Sequence, residues 1–299
     1  MRALPATVLA VCGLIASACG GTGTGDAAAG QAAPATAAGQ AAATAPTKEG
    51  PAKEGPAKEG PAQEAPAKEA PAKDAPPKAK PLEGKVVVID PGHNGGNWRA
   101  PKAINRKVNV LTQMKACDTT GTSTNDGYSE AAFTWDVSKR LTKILESRGA
   151  TVKLTRSGND GVGPCITERA AIGNKAKADA AISVHADGSA PANRGFHVIM
   201  PKKINGPVDK VVGASSRLGV AVRDAFRKGT GLPYSTYIGR KALDYRSDLG
   251  GLNLSTVPKI FVECGNMRNA TEAAKFRDPK FRQKIAVALA NGLQHYLQA

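Results

Sequence analysis

Between residues 20 and 81 the chain carries no valine, isoleucine, leucine, methionine, phenylalanine, tryptophan or tyrosine. A segment without large apolar side chains buries too little surface to offset the entropy of ordering it, so any core must come from elsewhere. Residues 82–299 are the only stretch long enough to supply one, and their length suits a single domain.

Within the coreless segment a five-residue unit recurs, as Pro51-Ala-Lys-Glu-Gly, Pro56-Ala-Lys-Glu-Gly, Pro61-Ala-Gln-Glu-Ala, Pro66-Ala-Lys-Glu-Ala and Pro71-Ala-Lys-Asp-Ala. Proline at that frequency excludes a stable helix and favours polyproline II. At about 3.1 Å per residue, the stretch from Lys48 to Pro81 would extend roughly 100 Å, which makes it a semi-rigid spacer. Before it, Met1 and Arg2 precede a mostly apolar run over residues 3–15, then Ala16-Ser17-Ala18 and Cys19. That order reads as an export signal, and the run is too short to span a bilayer permanently. The small residues before Cys19 and the Gly20-Gly21-Thr22-Gly23 after it resemble a bacterial lipoprotein site, with lipid on Cys19. Cleavage after the Ala-Ser-Ala triplet, releasing a soluble protein, is the alternative. Either way the protein is exported, to the cell envelope.

The spacer is nearly neutral, so the charge excess sits in the folded part: residues 82–299 hold 33 Lys and Arg against 18 Asp and Glu, a balance of +15. A field of that sign favours polyanions. Nucleic acid is set aside, because there is no zinc finger or RNP-like motif and only 4% of residues are aromatic. Anionic wall polymers suit an exported protein better, with a membrane involved only through the anchor and the protein a monomer. Three cysteines remain beyond Cys19. Cys117 and Cys165 lie in Gly/Asp/Thr-rich loops, whereas Cys264 ends an apolar strand beside Glu263, so the loop cysteines are expected to pair outside the cytoplasm. A Cys-Cys-His zinc knuckle is the rival, but no Cys-x-x-Cys spacing supports it.

Residues 85–90 (Lys-Val-Val-Val-Ile-Asp) form a continuous apolar run closed by Pro91 and Gly92, the pattern of a buried strand with His93 at its exit. From Glu130 the apolar spacing of Phe133, Val137, Leu141 and Leu145 predicts a helix to residue 148, capped by Ser129 and stopped at Gly149. Strands follow at 151–155, at 180–184 leading into His185, at 195–200 and at 259–262 ending in Glu263. Helices are expected near 167–177, over 207–228 and from Asp278-Pro279 onward. Alternating strands and helices give an α/β fold with a largely parallel sheet, whose sites form at the carboxyl ends of strands.

His93, His185 and Glu263 would then gather at one sheet edge, with Glu130 opening a helix that faces it. Two imidazoles and a carboxylate leave an open position on a zinc ion for water, the composition of a catalytic site, and a second carboxylate off the metal can carry the proton. Glu263 suits that second role. Ligands 37 and 55 residues apart match no short motif. His197 on its strand and His295 on the last helix read as packing or surface residues. Arg246 and Asp248, in a Gly/Leu-rich loop, are candidates for contacts to substrate.

Val88-Ile-Asp-Pro-Gly-His93, Ser129-Glu130, Thr155-Arg156, Glu168-Arg169, Ile182-Ser-Val-His-Ala-Asp187 and Val257-Pro-Lys-Ile-Phe-Val-Glu263 resemble, in that order, the motifs of zinc-dependent N-acetylmuramoyl-L-alanine amidases of the Amidase_3 family. Cys117, Cys165 and the run from Glu263 to Met267 resemble its actinobacterial members. The resemblance implies a roughly six-stranded sheet with helices on both faces and one zinc ion per domain on His93, Glu130 and His185. It also implies Glu263 as the catalytic glutamate and cleavage between N-acetylmuramic acid and L-alanine in peptidoglycan or muropeptides. A zinc peptidase acting within the stem peptide and a non-catalytic wall-binding lipoprotein are the other functions this chemistry and targeting allow. The stretch from Asn94 to Ser129 is longer than the usual connection in the family, and a loop of that length is commonly functional.

Overall fold

The computed structural model describes residues 79–299. The export segment, Cys19 and the spacer up to residue 78 lie outside the described residues.

The chain enters at Leu82, whose side chain is fully buried and whose amide donates to the Arg148 carbonyl. Strand β1 (Val86–Pro91) is followed by a short helix α1 (Pro101–Asn105) and a hairpin of β2 (Lys107–Asn109) and β3 (Met114–Ala116). Then come α2 (Glu130–Ser147), β4 (Thr151–Leu154), α3 (Ile166–Lys175), β5 (Ala180–Asp187), β6 (His197–Pro201) and α4 (Val212–Thr230). The domain closes with β7 (Leu243–Arg246), the single turn α5 (Gly250–Asn253), β8 (Lys259–Asn266), α6 (Ala270–Arg277) and α7 (Pro279–Leu297).

Six strands form one sheet in the order β4-β1-β5-β8-β6-β7. The first four are mutually parallel, and β6 turns antiparallel to β8 and takes β7 beside it in parallel, so the sheet is largely parallel, as the sequence predicts. The strand pleat sorts the central residues. Val87, Ile89, Ile182, Val184, Val198, Met200, Ile260 and Val262 join one continuous core, covered by α2, α4 and α7. The opposite face carries Asp90, Ser183, His185, His197, Lys259 and Glu263, because side chains alternate between faces along each strand. Among the described residues that second face is covered by α3, α5 and loops, which leaves room for a site.

Local chemistry sets the helix ends. The Ser129 hydroxyl accepts from the Ala132 amide at the start of α2, whose Phe133, Val137, Leu141 and Leu145 recur every four residues and are all fully buried. Burying each such side chain stabilises the fold by about 1.5–3 kcal/mol. Asp278 caps α7 with Pro279 at its first position, and α4 stops at Gly231, which takes the left-handed conformation at φ 73°.

Several bounds differ from the sequence expectation. His185 and Glu263 lie within their strands, because β5 and β8 continue pairing past them as far as Asp187 and Asn266. The 207–228 helix divides into a 3-10 turn (Pro207–Lys210) and α4. The Gly/Leu-rich loop contains strand β7, with Arg246 as its last residue, and the long 94–129 connection is structured by α1 and the β2-β3 hairpin.

Candidate active site

Glu130 is the centre of the cluster. It is 4% exposed, and its position in the first turn of α2 brings its carboxylate over the ends of β1 and β5. Oε2 lies 3.2 Å from His93 Nε2 and accepts from the Thr122 amide at 2.9 Å; Oε1 lies 3.0 Å from His185 Nδ1 and accepts from the Ala186 amide. Ligand atoms of these three residues all fall within 4.8 Å of one another. Donors on a tetrahedron with metal bonds of about 2.0–2.1 Å stand roughly 3.3 Å apart, so two nitrogens and a carboxylate at these separations fit a zinc ion.

The neighbouring backbone is shaped to let the rings approach. A Cβ on Gly92 would overlap the His185 ring, and one on Gly121 would stand 2.8 Å from both Glu130 Oε2 and His93 Cδ2. His93 itself adopts φ 57°, a left-handed conformation uncommon for a residue with a side chain, so surrounding bonds must hold it. Its Nδ1 faces the Thr119 carbonyl at 3.2 Å, which leaves Nε2 turned toward Glu130 as the nitrogen placed to meet a cation. Burial disfavours a proton on His93, yet the carboxylates of Glu130 and Asp118 outweigh it and raise the imidazole to about 10. The same negative field favours a dication.

A buried charge network lies behind His93. Asp90 accepts from Thr155 Oγ1 (2.6 Å), Ser183 Oγ (2.8 Å), Arg169 Nη1 (2.9 Å) and Lys259 Nζ (3.1 Å). Arg169 also donates to the Pro91 and His93 carbonyls and to Asp118 Oδ2. Burial opposes ionisation of Asp90, but Lys259 and Arg169 hold its carboxyl well below the usual range. Arg156 adds bonds to the Pro91 and Ala131 carbonyls, which joins the exit of β1 to the start of α2. None of Asp90, Asp118, Arg169 and Lys259 is legible as functional from spacing, although Asp90, Arg156, Arg169 and Lys259 sit inside the quoted motifs. Arg169→Met would leave two buried carboxylates short of a partner, and breaking such a pair costs about 3–5 kcal/mol. Chemical denaturation of this variant is expected to show a loss of that size, and a loss below about 1 kcal/mol, as for an exposed pair, would contradict the network.

Cys117 and Cys165 are joined by a disulfide, Cα to Cα 4.6 Å, and Cys264 is free and buried. The bond closes a loop of 48 residues and ties the chain after the hairpin to the start of α3. Val108, Val110 and Ile166 pack around it as a small core of their own. Reduction is expected to remove about 2–4 kcal/mol of stability. Melting curves with and without reductant measure this, and superimposable curves would contradict it.

Glu263 is set on β8 directly opposite His185 on β5 and His197 on β6. Its Oε2 is shielded from solvent and has no hydrogen-bond partner. Burial, reinforced by Glu130 and Asp187, raises its carboxyl well above the ordinary value. Glu263, Glu130, both ligand-type histidines and Arg246 line one cavity of about 430 Å³. Of the two candidate substrate contacts, Arg246 lies on that wall. Asp248 is engaged by Arg246 (2.6 and 2.7 Å) and by Lys115 (2.9 Å).

His197 is buried at 1% exposure and stands beside Glu263, which alternation along its own strand did not reveal. His295 is remote, lying on α7 in a groove with α4 residues. Burial pushes the His197 imidazole down to about 4. The unfolded chain protonates this group near pH 6.5 and the folded chain only near 4, so stability falls as pH drops through that window. The full effect is at most about 3 kcal/mol. Melts at pH 7 and pH 5 are expected to show a smaller loss for His197→Phe than for the native chain, and equal losses would contradict this origin.

A parallel-rich α/β sheet that presents two histidines, a glutamate and a second, partnerless glutamate in one cavity offers a donor set that fits a single metal ion beside a buried carboxyl, the arrangement that mononuclear metallohydrolases use. The profile of the N-acetylmuramoyl-L-alanine amidases (Amidase_3) matches residues 87–295. The N-acetylmuramoyl-L-alanine amidase Rv3717 of Mycobacterium tuberculosis is 40% identical over 218 residues, covering 72% of this chain and 88% of that one. The crystal structure of the amidase Ami1 from Mycobacterium smegmatis is 39% identical, covers 72% of this chain and 98% of its own, and superposes with a TM-score of 0.68. The apo Ami1 of Mycobacterium abscessus is 41% identical, covers 72% of this chain and all of its own, and also gives 0.68. The chain belongs to the N-acetylmuramoyl-L-alanine amidase family.

Proposed function

We propose that the chain is an exported peptidoglycan hydrolase that cleaves the amide between the lactyl group of N-acetylmuramic acid and the L-alanine of the stem peptide. The observation that carries this reading is the juxtaposition of the His93, Glu130 and His185 donors with the raised, partnerless carboxyl of Glu263 in a chain of this family. His93, Glu130 and His185 would hold one zinc ion, which when bound would supply a Lewis acid for the amide carbonyl and lower the pKa of bound water. Glu263 takes one proton from the attacking water through Oε2. The water oxygen joins the lactyl carbon, the carbon–nitrogen bond breaks, and Glu263 returns the proton to the leaving nitrogen; the second water proton, left on the new lactyl carboxyl, passes to the freed amine, giving a lactyl carboxylate and an L-alanine ammonium. Arg246, on the cavity wall, contacts substrate carboxylate or glycan. Asp248 orients that guanidinium instead of meeting substrate itself.

Residues 82–299 form the catalytic domain, residues 20–81 are a spacer, and residues 1–19 direct export, with Cys19 as the lipid attachment point. The +15 balance of residues 82–299 favours anionic wall polymers over neutral glycans. Mass spectrometry of muropeptides digested by the zinc-loaded protein tests the reaction. Lactyl-free stem peptides beginning at L-alanine are expected. An intact muramyl to L-alanine bond with a shortened stem would replace this reading with a stem peptidase.

A further inference from the structure

The sheet places a third side chain in line with His185 and Glu263. Parallel pairing sets His185 opposite Glu263, and antiparallel pairing sets His197 opposite the same Glu263. Directly paired residues point to the same face, so the three side chains form a row across β5, β8 and β6. Two atoms in this row are shielded from solvent and have no hydrogen-bond partner: Glu263 Oε2 and His197 Nδ1. A buried polar atom is seldom left unpaired, because its lost hydration is not replaced, so two such atoms on register partners call for an explanation.

We propose that His197 is a positioning residue for Glu263, its Nδ1 receiving the Glu263 carboxyl as that side chain moves between the attacking water and the leaving nitrogen. The proposal rests on the reading of Glu263 as proton carrier. A neutral imidazole suits the task, because its two tautomers let Nδ1 donate to a carboxylate or accept from a carboxylic acid. His197 is held neutral by burial, so it presents a hydrogen-bonding group and not a counter-charge that would pin the carboxylate. The ring is fixed from outside the row. Tyr237 stands edge-on to it with centroids 6.0 Å apart, and the Tyr237 hydroxyl donates to Asp187 Oδ2 at 2.9 Å, so it does not compete for the imidazole. Phe196 and Val198, on either side in sequence, are fully buried in the core on the opposite face and lock the strand in place.

The test compares three variants of the full zinc-loaded chain. Phenylalanine keeps the ring's bulk without nitrogens, asparagine places an amide near the position of Nδ1, and glutamine reaches toward that of Nε2. His197→Phe is expected to lower kcat about 10- to 100-fold, the usual effect of removing a group that orients a catalytic one, with KM unchanged and one zinc retained. His197→Asn is expected to restore most of kcat, and His197→Gln is not. Native kcat in His197→Phe, loss of its zinc, or equal impairment of the asparagine and glutamine variants would each overturn the proposal. Should the phenylalanine variant fail to fold, the asparagine and glutamine pair decides alone. Failure of the underlying reading shows separately, as a Glu263→Gln enzyme with native kcat.

Discussion

Glu263→Gln is expected to lower kcat by about 10³-fold while the protein keeps one metal ion per chain. Glutamine preserves the shape of the side chain but can neither take up nor release a proton, and a positioned general acid and base contributes about 10²–10⁴-fold. The substitution removes the group without touching the donors, since Glu263 makes no bond to His93, Glu130 or His185. Removing a buried carboxyl whose ionisation burial opposes is also expected to leave the fold intact or firmer. Steady-state rates on muropeptides, together with metal analysis of the same sample, measure both. A variant within about tenfold of the native rate would remove Glu263 from the proton path.

His185→Ala is expected to abolish both metal retention and hydrolysis, and excess zinc is expected to restore little. His185 is one of three clustered donor residues, and its ring is seated against Gly92 and stacked on Phe261 with centroids 5.2 Å apart. With it gone, Glu130 and His93 are left as a two-donor site, too few for a tightly held zinc ion. Chelation of the native protein is expected to have the same effect on rate and to be reversed by zinc, because the residues stay in place. Equilibrium dialysis followed by elemental analysis checks the variant. Retention of a full equivalent of zinc would move the metal elsewhere.

Much of the scaffold was legible because burial leaves a local record. The Val86–Ile89 run can only be a strand with both faces covered, and the four-residue spacing from Phe133 to Leu145 can only be a helix with one buried face. His93, Glu130 and His185 were legible through the motifs around them and through the turn and cap residues that end β1 and start α2. What left no local record is what only the folded sheet creates. Asp90, Asp118, Arg169 and Lys259 are spread over most of the domain, and nothing in their spacing shows that they meet in a dry network behind His93. β7 is an edge strand of sequence Leu-Asp-Tyr-Arg, with too few apolar residues to signal itself. His197 reads from sequence as a packing or surface residue, because alternation shows which face it shares with its own strand but not which residue faces it across the sheet. That depends on β6 reversing direction beside β8.

The central claim is that His93, Glu130 and His185 hold a metal beside a carboxyl that moves protons. Anomalous diffraction at the zinc edge, from crystals of the zinc-loaded protein, tests it most directly. One strong peak is expected within about 2.0–2.2 Å of a nitrogen of His93, a nitrogen of His185 and an oxygen of Glu130. A peak ligated by Glu263 or Asp118 in place of any of these three, or no peak in the cluster at full zinc occupancy elsewhere, would contradict it.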